Sequence, residues 1–494
     1  MSNNENKGIS QGSSLNRGLK QRHMTMIAIG GAIGTGLFLT SGYTVNESGP
    51  GGAMIAYGLM GIIIYFLMTS LGEMSTFMPV SGSFQVYCSR LIDPAAGFTV
   101  GWMYWLNWAF TLSANLVAAE IIMVRYFPSV PGWVWIALFV VVLFSLNMID
   151  VKGYGETEFW FAAIKVFAII LFLIVGILMI AGIIGDSTQG VSFFLDKNGG
   201  PFPLGGLAVV MVLFSSAYSF TGIECVGMAS GEVEKPEETV PKAIKTVFWR
   251  ILLFYIGGMF VIGCLIPYQQ AGLDISPFTW VFENSNIPVF SKVAGTFMDI
   301  VILTSILSSS NSGIYVGSRM LWSMALEKKA PAALGKLSKK KIPLLAVIVT
   351  TAFGLVGLLT SLLPSDSVFV ILCAAVGISC IFGWLGIAIS HYRFRKWYKM
   401  KGYKLEDLKY KAKFYPFGPV ATMIAMIFII VGSLFDAESA LSVIIGIPLA
   451  IAMFVFYKIK YKTKAVKLSE LEMSDLEDLR YQEKSDVTAE KLNK

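Results

Sequence analysis

Gly30-Gly31-Ala32-Ile33-Gly34-Thr35-Gly36 lies inside an apolar run that extends from about Met24 to Ser41. Each glycine costs a helix interior roughly 1 kcal/mol against alanine, so four in seven residues argue for a break in the helix. Backbone freed at membrane depth is tolerated only where it is buried in protein or lines a cavity. A lone GxxxG serves close helix packing through small residues, but the glycines here are denser than packing needs. A second interruption, Ser219-Phe220-Thr221-Gly222-Ile223-Glu224, falls far downstream. Broken spans in corresponding halves of a chain point to a substrate site near the bilayer midplane.

The surrounding composition places that site in a membrane. The chain has 494 residues, 55% hydrophobic and 14% charged, with a mean hydropathy of +0.66. Twelve apolar segments are long enough to span, at about 24–46, 52–71, 97–124, 132–150, 159–184, 204–229, 244–267, 288–326, 343–363, 367–390, 416–435 and 438–457. The expected fold class is therefore an all-α integral membrane protein. Lys and Arg collect in the N-terminal tail, in every second loop and in the C-terminal tail. Only Arg125, Lys197 and Lys292 fall in the opposite loops, with Lys165 inside a span. The positive-inside rule then places both termini in the cytoplasm. The net charge of +7 is a topology signal, and a nucleic-acid partner is not expected. The five cysteines lack CxxC spacing, and His23 and His391 lie in basic flanks, so neither a disulfide framework nor a metal site is expected. The polar first 23 residues lack the apolar core of a signal peptide. The expected divisions are a tail (1–23), a ten-helix core (24–390), a basic loop (391–415), helices 11 and 12 (416–457) and a charged tail (458–494). Surface helix and solvated segment both remain open for the last of these.

A helix broken in the membrane presents a half-helix N-terminus, which attracts an anion, and freed carbonyls, which attract a cation. Two facing breaks would hold a zwitterionic amino acid head group without a charged side chain. The amides of Ile33, Gly34, Thr35 and Gly36, with the Thr35 hydroxyl, would take the carboxylate. The carbonyls of Ala32, Tyr218 and Thr221 would take the amino group, and Ser219, Phe220 and Gly222 complete the second break. Glu224 follows it, and an ionisable residue at membrane depth is a functional hypothesis by default. It reads as a proton-carrying acid or as an anion facing a cationic substrate, against a protonated carboxyl bonded within the bundle. Lys165 reads as a fixed ammonium where a coupling sodium would otherwise sit, against a side chain that snorkels to the interface. Tyr104 and Trp108 share a helix face and can wall a pocket or stack on a cation, against plain packing. Ser309 sits beside a four-residue repeat of Thr304, Ser308 and Ser312, which favours helix–helix hydrogen bonds over pocket lining, so Ser309 is taken as a gating or secondary residue. Walker sequences and nucleophile–base sets are not seen, so neither an enzyme nor ATP drive is expected.

The motifs Met24-Thr25-Met26-Ile27-Ala28-Ile29-Gly30-Gly31, Ser48-Gly49-Pro50-Gly51-Gly52, Pro79-Val80-Ser81-Gly82-Ser83-Phe84 and Ala229-Ser230-Gly231-Glu232, together with the two interruptions, resemble the amino acid–polyamine–organocation superfamily. Within it the chain resembles the bacterial amino acid transporter family. The segments Phe248-Trp249-Arg250, Asn311-Ser312-Gly313 and Ser390-His391-Tyr392-Arg393 resemble the lysine-specific permeases of that family. The resemblance implies a leucine-transporter-like core, in which two inverted repeats of five helices have discontinuous helices 1 and 6, plus two extra helices. It implies proton symport, with Lys165 at the sodium-equivalent site, Glu224 linked to protonation and Glu232 as a gate or a solvated acid. Lysine-specific relatives carry a longer acidic outer loop than the Asp274 and Glu283 found here.

The expectation is a proton-coupled importer of a cationic amino acid, L-lysine first, in a bacterial plasma membrane, needing no cofactor beyond the proton gradient. Histidine or arginine uptake and amino acid exchange are the alternatives within the class. A lysine-binding sensor acting through a membrane partner is the alternative outside it.

Overall fold

A computed structural model describes residues 20–476 apart from 31–32, 81, 149–150, 186–189, 198, 234, 273–275, 286–289 and 436. Ala32 and Asp274, singled out above, therefore lie outside the described residues, as do most of the N-terminal tail and the end of the C-terminal one. The described chain is helical, with no strand among the described residues.

The first interruption separates α1 (Gln21–Gly30) from α2 (Thr35–Phe38), which runs through Leu39 into α3 (Thr40–Phe77). A kink divides α3 at Gly49, whose φ of +73° suits glycine, followed by Pro50. A short α4 (Ser83–Leu91) leads to α5 (Pro94–Tyr126). Asp93 caps α5 by accepting from Ala95 N at 2.8 Å, with Pro94 at the first helical position. Next come α6 (Gly132–Leu146) and α7 (Val151–Ile180). The second interruption lies between α8 (Gly205–Met211) with α9 (Leu213–Tyr218) and α10 (Cys225–Ala229). Then follow α11 (Pro236–Arg250), α12 (Gly257–Leu265), α13 (Pro277–Glu283), α14 (Phe290–Leu326), α15 (Leu344–Ala352), α16 (Ser365–Met400), α17 (Phe417–Ser433) and α18 (Ala437–Tyr461). Among the described residues, eight helices are long and apolar enough to cross a membrane, and shorter apolar helices lie at Gly132–Leu146, Gly205–Tyr218 and Phe417–Ser433. At the centre, α5 packs along both α14 and α16. The outer faces keep large apolar residues exposed, such as Trp160, Leu207 and Ile424, as a lipid-facing surface requires.

Two helices outrun their apolar stretches, for a shared reason. Helix α7 begins at Val151 rather than near 159, and α16 continues to Met400 rather than ending near 390. Polar residues extend a helix when its end finds partners in the bundle. His391, expected in a peripheral flank, is fully buried with Nε2 3.4 Å from Glu73 Oε1. Arg395 donates to both Glu73 oxygens, and Ala412 N donates to Oε2 at 2.6 Å. His23 is likewise buried, 3.1 Å from Glu156 Oε1. The described part of the C-terminal tail, which the sequence leaves open between surface helix and solvated segment, docks on the bundle at several points. Val466 N donates to Ile92 O at 2.8 Å, Trp397 Nε1 donates to Leu471 O at 2.9 Å, and Leu476 is buried.

Glu73 thus joins α3, α16 and the following loop. Its replacement by Gln leaves Arg395 without its carboxylate in a buried site, which costs about 3–5 kcal/mol. A clear fall in the thermal stability of the detergent-solubilised protein is expected for Glu73→Gln. Wild-type stability would show that the cluster carries little.

Candidate functional site

The two interruptions cross. A Cβ on Gly36 would lie 2.5 Å from Ser219 Cα and 3.2 Å from Ser219 N, so only glycine permits this backbone approach. Ser219 Oγ donates to Gly36 O at 2.6 Å and lies 2.7 Å from Tyr57 OH, while Tyr255 OH donates to Ser219 O at 2.9 Å. Phe220 stacks on Tyr255 with centroids 4.4 Å apart. Gly222, with φ of +98°, turns the chain out of the second break.

Around the crossing, Gly34, Thr35, Gly36, Trp108, Thr111, Tyr218, Thr221 and Ser309 line one small cavity. Thr35 Oγ1 donates to Asn115 Oδ1 at 2.9 Å and lies 2.8 Å from Tyr218 OH. Ser305 Oγ donates to Ile33 O at 3.0 Å, and a Cβ on Gly34 would press on Ser309 Oγ at 3.1 Å. The first-turn amides of α2 have no partner within their own helix. Thr221 Oγ1 and Trp108 Nε1, both at the cavity, have no hydrogen-bond partner among the described residues. These are the groups an incoming carboxylate or ammonium can satisfy. The cavity holds about one water molecule, so admitting an amino acid requires the two breaks to part.

Glu224 and Tyr104 stand one layer behind. Glu224 Oε1 accepts from Tyr104 OH at 2.9 Å and Gly222 N at 3.3 Å, and Oε2 accepts from Trp384 Nε1 at 3.3 Å. The carboxyl is fully buried. Lys165 is also fully buried, which removes the snorkelling alternative, and its Nζ lies 3.9 Å from Glu158 Oε1. Glu232 is away from the cavity and pairs with Arg319 at 3.2 Å, whose guanidinium lies 3.7 Å over the Tyr315 ring. It is therefore not a solvated loop acid.

The structure thus brings the substrate-binding candidates Ile33, Gly34, Thr35, Gly36, Trp108, Tyr218 and Thr221 to one locus, with Ser219, Phe220 and Gly222 at the second break, and adds Ser309, expected only as a secondary residue. Thr111, Ser305 and Trp384 were missed, because nothing in their spacing separates them from packing residues. Glu158 was missed because the fifth span was started at 159, just beyond it, whereas the helix begins at Val151. The signal that finds it is the seven-residue spacing to Lys165, which is two turns on one helix face.

Adding a methyl at Gly36 drives backbone against backbone, an overpacking cost of about 1–3 kcal/mol. Gly36→Ala is expected to weaken amino acid binding by about tenfold or more, read by equilibrium binding. Gly206→Ala, where a Cβ meets nothing within 4 Å, is expected to bind as wild type. Equal affinities for both variants and wild type would remove the crossing from the site.

Residues 23–470 match the family model described as amino acid permease. The chain is 43% identical over 474 residues to the lysine-specific permease LysP of Escherichia coli (strain K12), covering 92% of this chain and 96% of that protein. It is 42% identical over 486 residues to the lysine-specific permease LysP of Lactococcus lactis subsp. cremoris (strain MG1363), covering 94% of each. The histidine permease HisP of the same strain is 42% identical over 475 residues, covering 94% of this chain and 98% of HisP. A match over nearly the whole length, on a helical membrane architecture with two crossed breaks, leads to one conclusion: the chain belongs to the amino acid permease family of the amino acid–polyamine–organocation superfamily.

Proposed function

We propose that the protein is a proton-coupled symporter that imports a cationic amino acid, L-lysine first, across the bacterial plasma membrane. The observation that carries this reading is the crossing of the two broken spans at Gly36 and Ser219, with a buried acid directly behind it. The first-turn amides of α2 and the Thr35 hydroxyl take the substrate carboxylate. Carbonyls of the second break, those of Tyr218 and Thr221, take the α-amino group. Trp108, Tyr218 and Ser309 wall the pocket, and Glu224, held by Tyr104 and Trp384, faces the cationic end and exchanges a proton as the substrate comes and goes.

Lys165 supplies a fixed positive charge in place of a metal cation, so the proton gradient is the energy source and no cofactor is required. The architecture belonging to this reading is twelve spans with both termini cytoplasmic, in which helices 1–5 and 6–10 form inverted repeats. The broken helices at corresponding places, first and sixth, support it. Two relatives with lysine in their names favour lysine. The histidine permease, equally similar, makes histidine the second substrate to test.

The test is uptake of labelled L-lysine into proteoliposomes under an inward proton gradient, with excess unlabelled histidine or arginine as challengers. Accumulation that a protonophore collapses, and that excess lysine alone suppresses, is the expected result. Suppression by histidine would change the substrate, and uptake that persists with protonophore would replace symport by exchange. In the same assay Glu224→Gln is expected to lose accumulation by about tenfold or more, the scale of a coupling free energy of 1–3 kcal/mol. Full accumulation would remove Glu224 from the proton path.

A further inference from the structure

One buried ion pair that the substrate site does not use is Glu158 with Lys165. Both side chains are fully buried on α7, with Oε1 and Nζ 3.9 Å apart. Ser308 Oγ on α14 lies 2.9 Å from Glu158 Oε1 and 3.0 Å from Oε2, and Ser312, one turn on, faces the same carboxyl. From α10 the Cys225 thiol faces Glu158, and from α11 Arg250 lies within electrostatic reach of Lys165 and of Glu224. With both acids and both bases ionised, this buried group is neutral. An extra proton therefore has to reside on one of the two carboxylates.

We propose that Glu158 is a second proton-accepting carboxylate of the transport cycle, and that the α14 turn from Ser305 to Ser309 transmits its charge state to the break in the first span. The inference rests on the symport reading and adds to it the counterion of Lys165. A proton entering from the side of higher proton activity forms an O–H bond on one Glu158 oxygen. On the opposite side that bond breaks, and the proton passes to water. Ser308 is nearly equidistant from both oxygens, so its hydroxyl hydrogen serves whichever oxygen stays unprotonated, and the site survives the change of charge. What changes is Lys165. Its ammonium loses the attraction of an adjacent carboxylate, and that loss is costly inside the bundle.

That cost favours a rearrangement around the amine. The turn of α14 that touches Glu158 through Ser308 also donates to Ile33 O from Ser305 and packs Ser309 against Gly34. One helical turn therefore contacts both the proton-bearing pair and the glycine break that holds the substrate carboxylate. Coupling carried by a contiguous contact of this kind is testable residue by residue.

The experiment compares wild type, Glu158→Gln, Glu158→Asp and Ser308→Ala in proteoliposomes. It measures proton-driven accumulation of labelled L-lysine and lysine counterflow, each between about pH 5 and 8. For Glu158→Gln, the ratio of accumulation to counterflow is expected to fall by about tenfold or more, with a flattened pH profile. Glu158→Asp is expected to restore coupling with a displaced profile, which loss of packing alone would not produce. If Glu158→Gln does not elute as folded protein, Ser308→Ala decides, because it keeps both charges. Its ratio is expected to fall in the same direction. A wild-type ratio and pH profile in Glu158→Gln, or in Ser308→Ala where that variant decides, would overturn this proposal alone. A wild-type protein that never accumulates lysine under a proton gradient would overturn the symport reading and this proposal with it.

Discussion

Backbone contact between Gly36 and Ser219 is the constraint on which the rest of the site depends. At a Cβ-to-Cα distance of 2.5 Å, no other residue fits at position 36 without separating the two broken spans. Ser219 then acts as a junction. Its hydroxyl reaches Gly36 O and Tyr57 OH, and its carbonyl accepts from Tyr255 OH. Backbone groups that an unbroken helix would satisfy internally are here partly satisfied by neighbours and partly left for a ligand. This is the arrangement in which irregular backbone is tolerable at membrane depth. It also lets the cavity offer polar backbone groups with no charged residue in its lining.

Charges are present, but each stands behind the lining or at an end of the bundle. Glu224 is capped by Tyr104, Trp384 and Gly222, and Glu158 by Ser308 and Lys165. At one end Glu232 pairs with Arg319, and Glu73 with Arg395. At the other, Arg125 reaches Glu283 at 2.9 Å and Asp299 at 3.1 Å, and Asp299 also accepts from Thr279 at 2.7 Å. Buried pairs contribute little net stability beside well-packed apolar residues, yet losing one partner is costly. Such pairs suit a protein that must open at alternate ends, because each closure is specific and only modestly stabilising.

Much of this was legible from residue types. Glycine density marked the first break, and Ser219 to Glu224 marked the second, because helix propensity and membrane depth impose opposite demands at those positions. Trp108 and Ser309, which line the cavity, were legible only as candidates, since packing and pocket residues share the same periodicity. What stayed hidden depended on contacts between distant segments. His391 and Arg395 looked like a solvated flank until Glu73, on another helix, came within reach. Glu158 looked like a residue before a span because hydropathy falls off there, whereas the helix continues through it. The docking of Val466 and Leu471 onto Ile92 and Trp397 has no local signature at all. Hydropathy locates apolar segments, and it is silent about polar residues whose partners lie elsewhere in the bundle.

The central claim is that two backbone breaks read the amino acid head group, and its most direct test is equilibrium binding of labelled L-lysine to the purified protein. The competitors are cadaverine, which lacks the carboxylate, and 6-aminohexanoate, which lacks the α-amino group. Each missing charge forfeits charge-assisted hydrogen bonds worth about 1.5–3 kcal/mol apiece, so each competitor is predicted to bind about tenfold to hundredfold more weakly than L-lysine. Cadaverine or 6-aminohexanoate displacing the label as well as L-lysine does would contradict the account, because the crossed breaks would then not be reading the head group.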